Sequence, residues 1–333
     1  EVYEFTDLKD VNGNGFSNVF PYIPNDTRSW GLGLPKRTSV YDSSGALVKR
    51  TVNTYQFDTV INTSSNFKSI KLGHSQTNYS SDPNYPPVTK KKTFIGHEYY
   101  PLTGKAYLVY SADTLFQPNG SVNTSWQQLY YDTNYNVTKV VTSYDRNRNL
   151  VKEQRMYYPY NYTVGGGIGK MRDSAIISQM VATETWVTGD GNPRILSGAV
   201  TSFRQIANGE LKPDTIYSFE SNKPVVQATI SVFDPAKLNR NTTYFKAQNY
   251  FTTYDTKGSL TEMKNLVSGR SNSTILDYDQ KYPIANISNA TQADIAYTSF
   301  EAAGTGNWSV GSTQRDLTYN LTGKKSYNLS NGN

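Results

Sequence analysis

Short runs of alternating apolar and polar residues recur along almost the whole chain. In "VTKVVTSY", Val137, Lys139, Val141 and Ser143 fall on one face and Thr138, Val140, Thr142 and Tyr144 on the other. That is the period of two required by a half-exposed strand. Runs of the same kind include "LVKRTVNTYQF", "GKAYLVYSADTLF", "VATETWVTG", "AVTSFRQI", "DTIYSFES" and "VVQATISVF", separated by Gly, Asn, Asp and Pro. They predict an all-β chain of short strands joined by tight turns. Helical patterning is confined to two places. "MRDSAIISQM" admits one short helix capped by Asp173 or Ser174, and "FDPAKL" admits another with Pro235 at the first helical position. Neither supports an α/β fold.

The punctuation between strands repeats. Tyr131-Asp-Thr-Asn-Tyr-Asn-Val137 and Tyr144-Asp-Arg-Asn-Arg-Asn-Leu150 share one frame, and "YDSSGAL" from Tyr41 and "YDTKGSL" from Tyr254 share its outline. Each has Tyr-Asp, a polar turn, and an apolar residue six positions after the Tyr: Leu47, Val137, Leu150 and Leu260. An Asp after a strand-ending Tyr accepts hydrogen bonds from backbone N–H groups two or three residues on. Gly45 and Gly258 then permit a positive φ, and the apolar residue starts the returning strand. Each unit therefore reads as a β-hairpin corner. In the doubled stretch Tyr135 and Arg148 stand at the glycine position, preceded by Asn134 and Asn147, and Asn is the next residue suited to left-handed backbone.

Tyr41-Asp42…Gly45…Leu47 and Tyr254-Asp255…Gly258…Leu260 resemble the YD repeat of RHS/YD proteins, whose strands wind into curved sheets or hollow shells. "VNGNGFSNVFPYIPNDTRSWGLGLPKRTSVYDSSG", "GHEYYPLTGKAYLV", "ILDYDQKYPIANISNATQADIAYTSFE" and "GTGNWS" resemble large RHS-like surface proteins of Bacteroidetes. The resemblance covers most of the chain. It implies an extended, curved antiparallel sheet over residues 1–290, open or closed into a shell. It also implies an extracellular or cell-surface location and export by the type IX route. The segment from residue 291 to 333, "IAYTSFEAAGTGNWSVGS…GKKSYNLSNGN", resembles the opening strands of a jelly-roll module of the carbohydrate-binding kind, incomplete at this length.

Composition agrees with an all-β reading. Of 333 residues, 27 are Tyr, which favours pleated, half-exposed surfaces. Cysteine is absent, so disulfides and thiolate metal sites are excluded. No apolar run approaches the roughly 18–20 residues of a membrane helix. The formal charge of +6 has one tight cluster, Lys90-Lys91-Lys92, too little concentration for nucleic-acid binding. The chain starts at Glu1 without Met or signal peptide, so it reads as a piece of something longer.

Candidate chemistry is sparse. In "DVNGNGFSN", Asp10, Asn12, Asn14, the Phe16 carbonyl and Asn18 fall at positions 1, 3, 5, 7 and 9 of a calcium loop, with Gly15 at position 6. Position 12 is Pro21, so the bidentate acid is missing and the same residues also make an Asn/Gly turn without a metal. No other cofactor is implied. His74 and His97 are the only histidines, and no Gly-x-Ser-x-Gly elbow accompanies them. "GGGIGK" lacks the spacing and the Ser/Thr of a phosphate loop and reads as a flexible turn. Trp30, Trp126, Trp186 and above all Trp308 are candidates for stacking on glycans, though aromatics equally fill sheet faces. The Bacteroidetes resemblance makes Thr59, Thr114, Ser174 and Thr215 O-glycosylation candidates, each in an Asp-Ser/Thr-apolar triplet.

The reading that unites these features is a non-catalytic β-repeat scaffold displaying or spacing other modules of a long surface or secreted polypeptide. Its partners would be those modules, outer-membrane export or anchoring proteins, and glycans, with no nucleic acid and no membrane span. The alternatives are the wall of an RHS-type toxin-encapsulating shell and a glycan-binding adhesin.

Overall fold

The computed structural model describes residues 1–11, 28–60, 68–77, 91–99, 103–143, 151–189, 191–230, 233–239, 241–310, 315–320 and 323–328. Among the described residues strands take up 52% and helices 8%, and fifteen of the strands are linked by antiparallel pairing. That composition excludes an α/β layer. The chain divides into two compact units, residues 1–130 with 141–148, and residues 131–140 with 149–333. The boundary expected near Ala290 lies inside the second unit.

In the first unit, β1 (Val2–Phe5), β2 (Pro35–Tyr41) and β3 (Leu47–Val60) are followed by β4 (Ser69–Thr77) and β5 (Lys91–Tyr99). Then come β6 (Thr103–Phe116), β7 (Val122–Tyr131) and β8 (Val137–Ser143), the last two shared with the second unit. Strand order here is β1-β2-β3-β6-β7, while β4 and β5 form a two-stranded sheet of their own. Most side chains of β3 and β6 are half-buried on both faces, which suits their Thr, Tyr and Val content. Local burial gathers around Val11 and the ring of Trp30, which tilts against Phe57 at 6.3 Å between centroids.

The second unit runs through β9 (Val151–Tyr157), β10 (Ala182–Thr188), β11 (Arg194–Gln205), β12 (Leu211–Phe219) and the short β13 (Val225–Val226). It continues with β14 (Phe245–Tyr254), β15 (Leu260–Asn265), β16 (Ser271–Asp277) and β17 (Tyr282–Ser288). The order is β9-β10-β11-β12-β14-β15-β16-β17, with β13 also on β11. One face carries the larger core: Ala182, Trp186, Ile195, Val200, Val225, Ile230 and Phe245. A neighbouring cluster of Tyr162, Val181 and Phe203 receives Ile168 and Met171 from helix α1 (Gly166–Asp173). Their spacing of three places both on one helical face.

Helix α1 corrects the sequence reading twice. It occupies "GGIGKMRD", so the glycine-rich stretch is helix rather than a flexible turn, and Ser174 caps its C-terminal end instead of starting it. Gly167 serves packing: a Cβ there would stand 1.9 Å from the Phe203 carbonyl oxygen. "FDPAKL" makes a turn in which the Asp234 carboxylate accepts from the Ala236 N–H at 3.0 Å.

After β17 the chain turns back over the last strands. The Gln292 side-chain amide donates to the carbonyls of Thr261 and Thr274, each at 2.7 Å, and its backbone N–H donates to Glu262 at 2.9 Å. Gly304 N–H donates to the Asp277 carboxylate at 3.1 Å. Beyond residue 290 the described strands are β18 (Arg315–Asp316) and β19 (Ser326–Tyr327), paired as a two-residue ladder. Among the described residues no helix is long and apolar enough to cross a membrane.

Candidate functional site

The Tyr-Asp corners are the most regular local constellation. At residues 42–46 the Asp42 N–H donates to the Ala46 carbonyl at 2.9 Å, and the Gly45 N–H to the Asp42 carbonyl at 3.1 Å. Residues 132–136 repeat this with Asp132 to Asn136 at 3.1 Å and Tyr135 to Asp132 at 3.0 Å. Residues 255–259 do so with Asp255 to Ser259 at 2.9 Å and Gly258 to Asp255 at 3.1 Å. In each corner one carboxylate oxygen accepts two further N–H groups: Ser44 and Ala46 on Asp42, Asn134 and Asn136 on Asp132, Lys257 and Ser259 on Asp255. The Asp thus reaches residues two and four on, not two and three. The Ser44 hydroxyl and then the Ala46 N–H hold the Asp42 carboxyl below its ordinary range. Tyr144 and Asp145, which open the fourth phrase, lie outside the described residues.

Two further corners share the geometry without Tyr-Asp. Gln117 N–H donates to Ser121 and Gly120 N–H to Gln117; Ile206 N–H donates to Glu210 and Gly209 N–H to Ile206, all at 2.9 Å. Here an Asn two residues later does part of the carboxylate's work, Asn119 accepting from Ser121 N–H and Asn208 from Glu210 N–H, both at 3.0 Å. Four of the corners share one pairing: Tyr41 opposite Leu47, Phe116 opposite Val122, Gln205 opposite Leu211 and Tyr254 opposite Leu260. The overlooked signal was Asn-Gly followed two residues later by an apolar residue, a turn signature in its own right.

The left-handed position is Gly45, Gly120, Gly209 or Gly258, at φ +77° to +89°, but Tyr135 at φ +60°. The expected Asn134 does not take it, because its N–H is held by Asp132. A left-handed non-glycine residue costs about 1–2 kcal/mol, partly offset by glycine's larger unfolded-state entropy. Tyr135→Gly is therefore expected to raise stability by about 1 kcal/mol. The check is a higher urea midpoint at unchanged m; a lower one would mean that the half-buried ring outweighs the backbone strain.

Neighbouring corners of the second unit hold one another. Asn208 Nδ2 donates to the Thr256 carbonyl at 3.3 Å, Thr256 Oγ1 to Gln280 at 2.9 Å, and Lys257 Nζ to the Asp279 carbonyl at 2.7 Å. The Tyr160 hydroxyl donates to the other Asp132 oxygen and accepts from Asn136 Nδ2 at 3.1 Å. Burial first, then the Asp132 hydrogen bond, push the Tyr160 phenol up to about 12. Burial likewise carries Tyr254, whose hydroxyl donates to the Pro213 carbonyl, to about 12. An unfolded chain releases these protons near pH 10, so the stability they contribute is complete below pH 10 and is lost as pH rises through about 12. Urea midpoints measured across that window should fall less steeply in Tyr160→Phe than in the parent chain. Equal slopes would remove Tyr160 from the alkaline transition.

Of the calcium candidates, Asp10 is described. Its carboxylate takes the Lys36 ammonium at 2.5 Å and the Asp7 N–H at 3.0 Å, and Asn12, Asn14, Phe16 and Asn18 lie outside the described residues. Of the glycosylation candidates, Ser174 is exposed, Thr114 is half-buried against Thr124, and Thr59 lies in β3 with its side chain outside the description. Thr215 is buried with its hydroxyl on Asp214 at 3.2 Å, so the folded sheet leaves no room for a glycan there.

Trp308 is exposed in the C-terminal segment, as a stacking platform needs to be. Trp186 is in the core. Trp126 stacks on Tyr110 at 6.2 Å between centroids. A small polar cavity on the first unit is lined by Ser111, Asp113, Ser125, Trp126, Gln127 and Thr142. Its one carboxylate, Asp113, is engaged by the Thr51 hydroxyl and by Lys49 at 3.6 Å. Among the described residues no three His, Asp or Glu side chains cluster as metal ligands.

No family model matches the chain, and no curated protein does. Among solved structures it is similar to a chain in the crystal structure of TcdB2-TccC3-TEV, at 9% identity and a TM-score of 0.38. That match covers 80% of this chain and spans 16% of the length of the other. A likeness at that score supports no conclusion about this chain.

Proposed function

We propose that this chain is a non-catalytic β-repeat scaffold within a large secreted or cell-surface polypeptide, where it displays or spaces neighbouring modules. The observation that carries the reading is the corner, built five times among the described residues with one backbone pattern and each time spending its carboxylate or Asn on turn N–H groups. The polar residues that the sequence repeats are consumed by architecture, and repetition of one supersecondary unit is how extended arrays are made.

The test deletes residues 1–290 from the parent polypeptide while tagging both flanks. The expected result is flanks that fold but lose their surface exposure or separation. Loss of a catalytic turnover or a glycan affinity, at unchanged exposure, would refute the scaffold reading. A second reading, the glycan-binding adhesin, is favoured by exposed Trp308. It requires glycan-array binding by the complete protein that disappears on deletion from Ala290 onward.

A further inference from the structure

Three strongly exposed apolar side chains share one face of the β4–β5 ribbon. Its register places Ile70 opposite Glu98, Leu72 opposite Gly96 and His74 opposite Phe94, so these six residues share one face. Ile70 is 59% exposed, Leu72 69% and Phe94 70%. Gly96 adds no side chain between them, so the three apolar groups stand on a flat surface. The ribbon pairs only with itself among the described strands. A two-stranded ribbon alone is marginal in water, and a contiguous exposed apolar patch marks a contact site.

Charge selects the occupant. Residues 68–77 and 91–99 contain Lys68, Lys71, Lys91 and Lys92 against Glu98 alone, a formal 4 − 1 = +3, out of +6 for the whole chain. The one acid is already taken by Lys68 at 2.5 Å. A second copy of the ribbon would bring like charge against like charge. An anionic lipid surface offers both what the apolar face lacks and what the lysines attract. Apolar side chains enter the headgroup boundary while each nearby Lys contributes about 1 kcal/mol of attraction.

We propose that the β4–β5 ribbon is a membrane-surface contact, docking its Ile70-Leu72-Phe94 face into the interface of an anionic lipid bilayer. The ribbon lies on the surface and does not span it.

The 333-residue chain is co-sedimented with vesicles of phosphatidylcholine alone and of phosphatidylcholine with phosphatidylglycerol. Binding is expected on the anionic vesicles, at least tenfold weaker on the neutral ones, and weakened by salt. The triple variant Ile70→Ser, Leu72→Ser, Phe94→Ser is expected to lose more than tenfold on anionic vesicles, with an unchanged melting temperature because all three side chains are exposed. Should that variant unfold, Lys68→Glu with Lys92→Glu, at the register positions of the docking face, carries the test through charge alone. Absent or lipid-independent binding by the parent chain overturns the proposal. So does a parent chain that self-associates in gel filtration through the apolar face, with the triple variant monomeric.

Discussion

Trp186→Ala is expected to destabilise the second unit by about 3–5 kcal/mol. Trp186 is 1% exposed and sits on β10 between Glu153 of β9 and Ile195 of β11, within the cluster that includes Ile230 and Phe245. Alanine there leaves a cavity that a sheet paired on both sides cannot collapse around. The indole also donates from Nε1 to Glu184 at 3.0 Å, and Glu184 is itself buried. The guanidinium of Arg155 lies 4.8 Å from the indole centroid. Removing the ring therefore takes a donor from a buried carboxylate and a face from a cation together. Trp186→Phe retains most of the volume and loses the donor, so it should cost about 1–3 kcal/mol. Guanidinium unfolding followed by circular dichroism reads both. A cost below about 1 kcal/mol for the alanine variant would mean that this core is not packed as described.

Gly167→Ala should be nearly as damaging, at about 3 kcal/mol. Propensity points the other way, since alanine in a helix interior is favoured over glycine by about 1 kcal/mol. The added methyl, however, would stand 1.9 Å from the Phe203 carbonyl oxygen and 2.3 Å from its carbon. That obstacle is backbone in β11 and cannot rotate away. Helix α1 must then lift from the sheet, withdrawing Ile168 and Met171 from their cluster. Gly165→Ala, at the N-cap just before α1, is a control for space alone: nothing lies within 4 Å of its added methyl, and a loss of no more than about 1 kcal/mol is expected. Equal effects from the two substitutions would remove the contact with Phe203 as the cause.

These two sites show where sequence and structure part company. The corner at Tyr41-Asp42 was readable because every group that builds it lies within six residues. Trp186 was ambiguous, since an indole on a strand serves a core and a glycan equally well until its neighbours are known. Gly167 was misread because its reason is Phe203, a strand away in space and 36 positions along the chain. The corners at 117–121 and 206–210 escaped because Phe116-Gln117 and Gln205-Ile206 replace Tyr-Asp, while the backbone geometry depends on the left-handed residue instead. Thr215 matched a three-residue phrase, yet whether a hydroxyl is reachable is decided by the strands beside it.

The corners also bear on how the sheet assembles in time. Tyr41 meets Leu47 after six positions, whereas the pairing of β3 with β6 begins at Val60 and Thr103, 43 positions apart. Closing the longer loop costs about 2 kcal/mol more in chain entropy, and contacts that are local in sequence form faster. Each corner is thus a local nucleation point, its partners all present as soon as its own few residues have left the ribosome, and it is stabilised when the next strand joins. The sheet can grow hairpin by hairpin, and β3 with β6 is the step expected to lag.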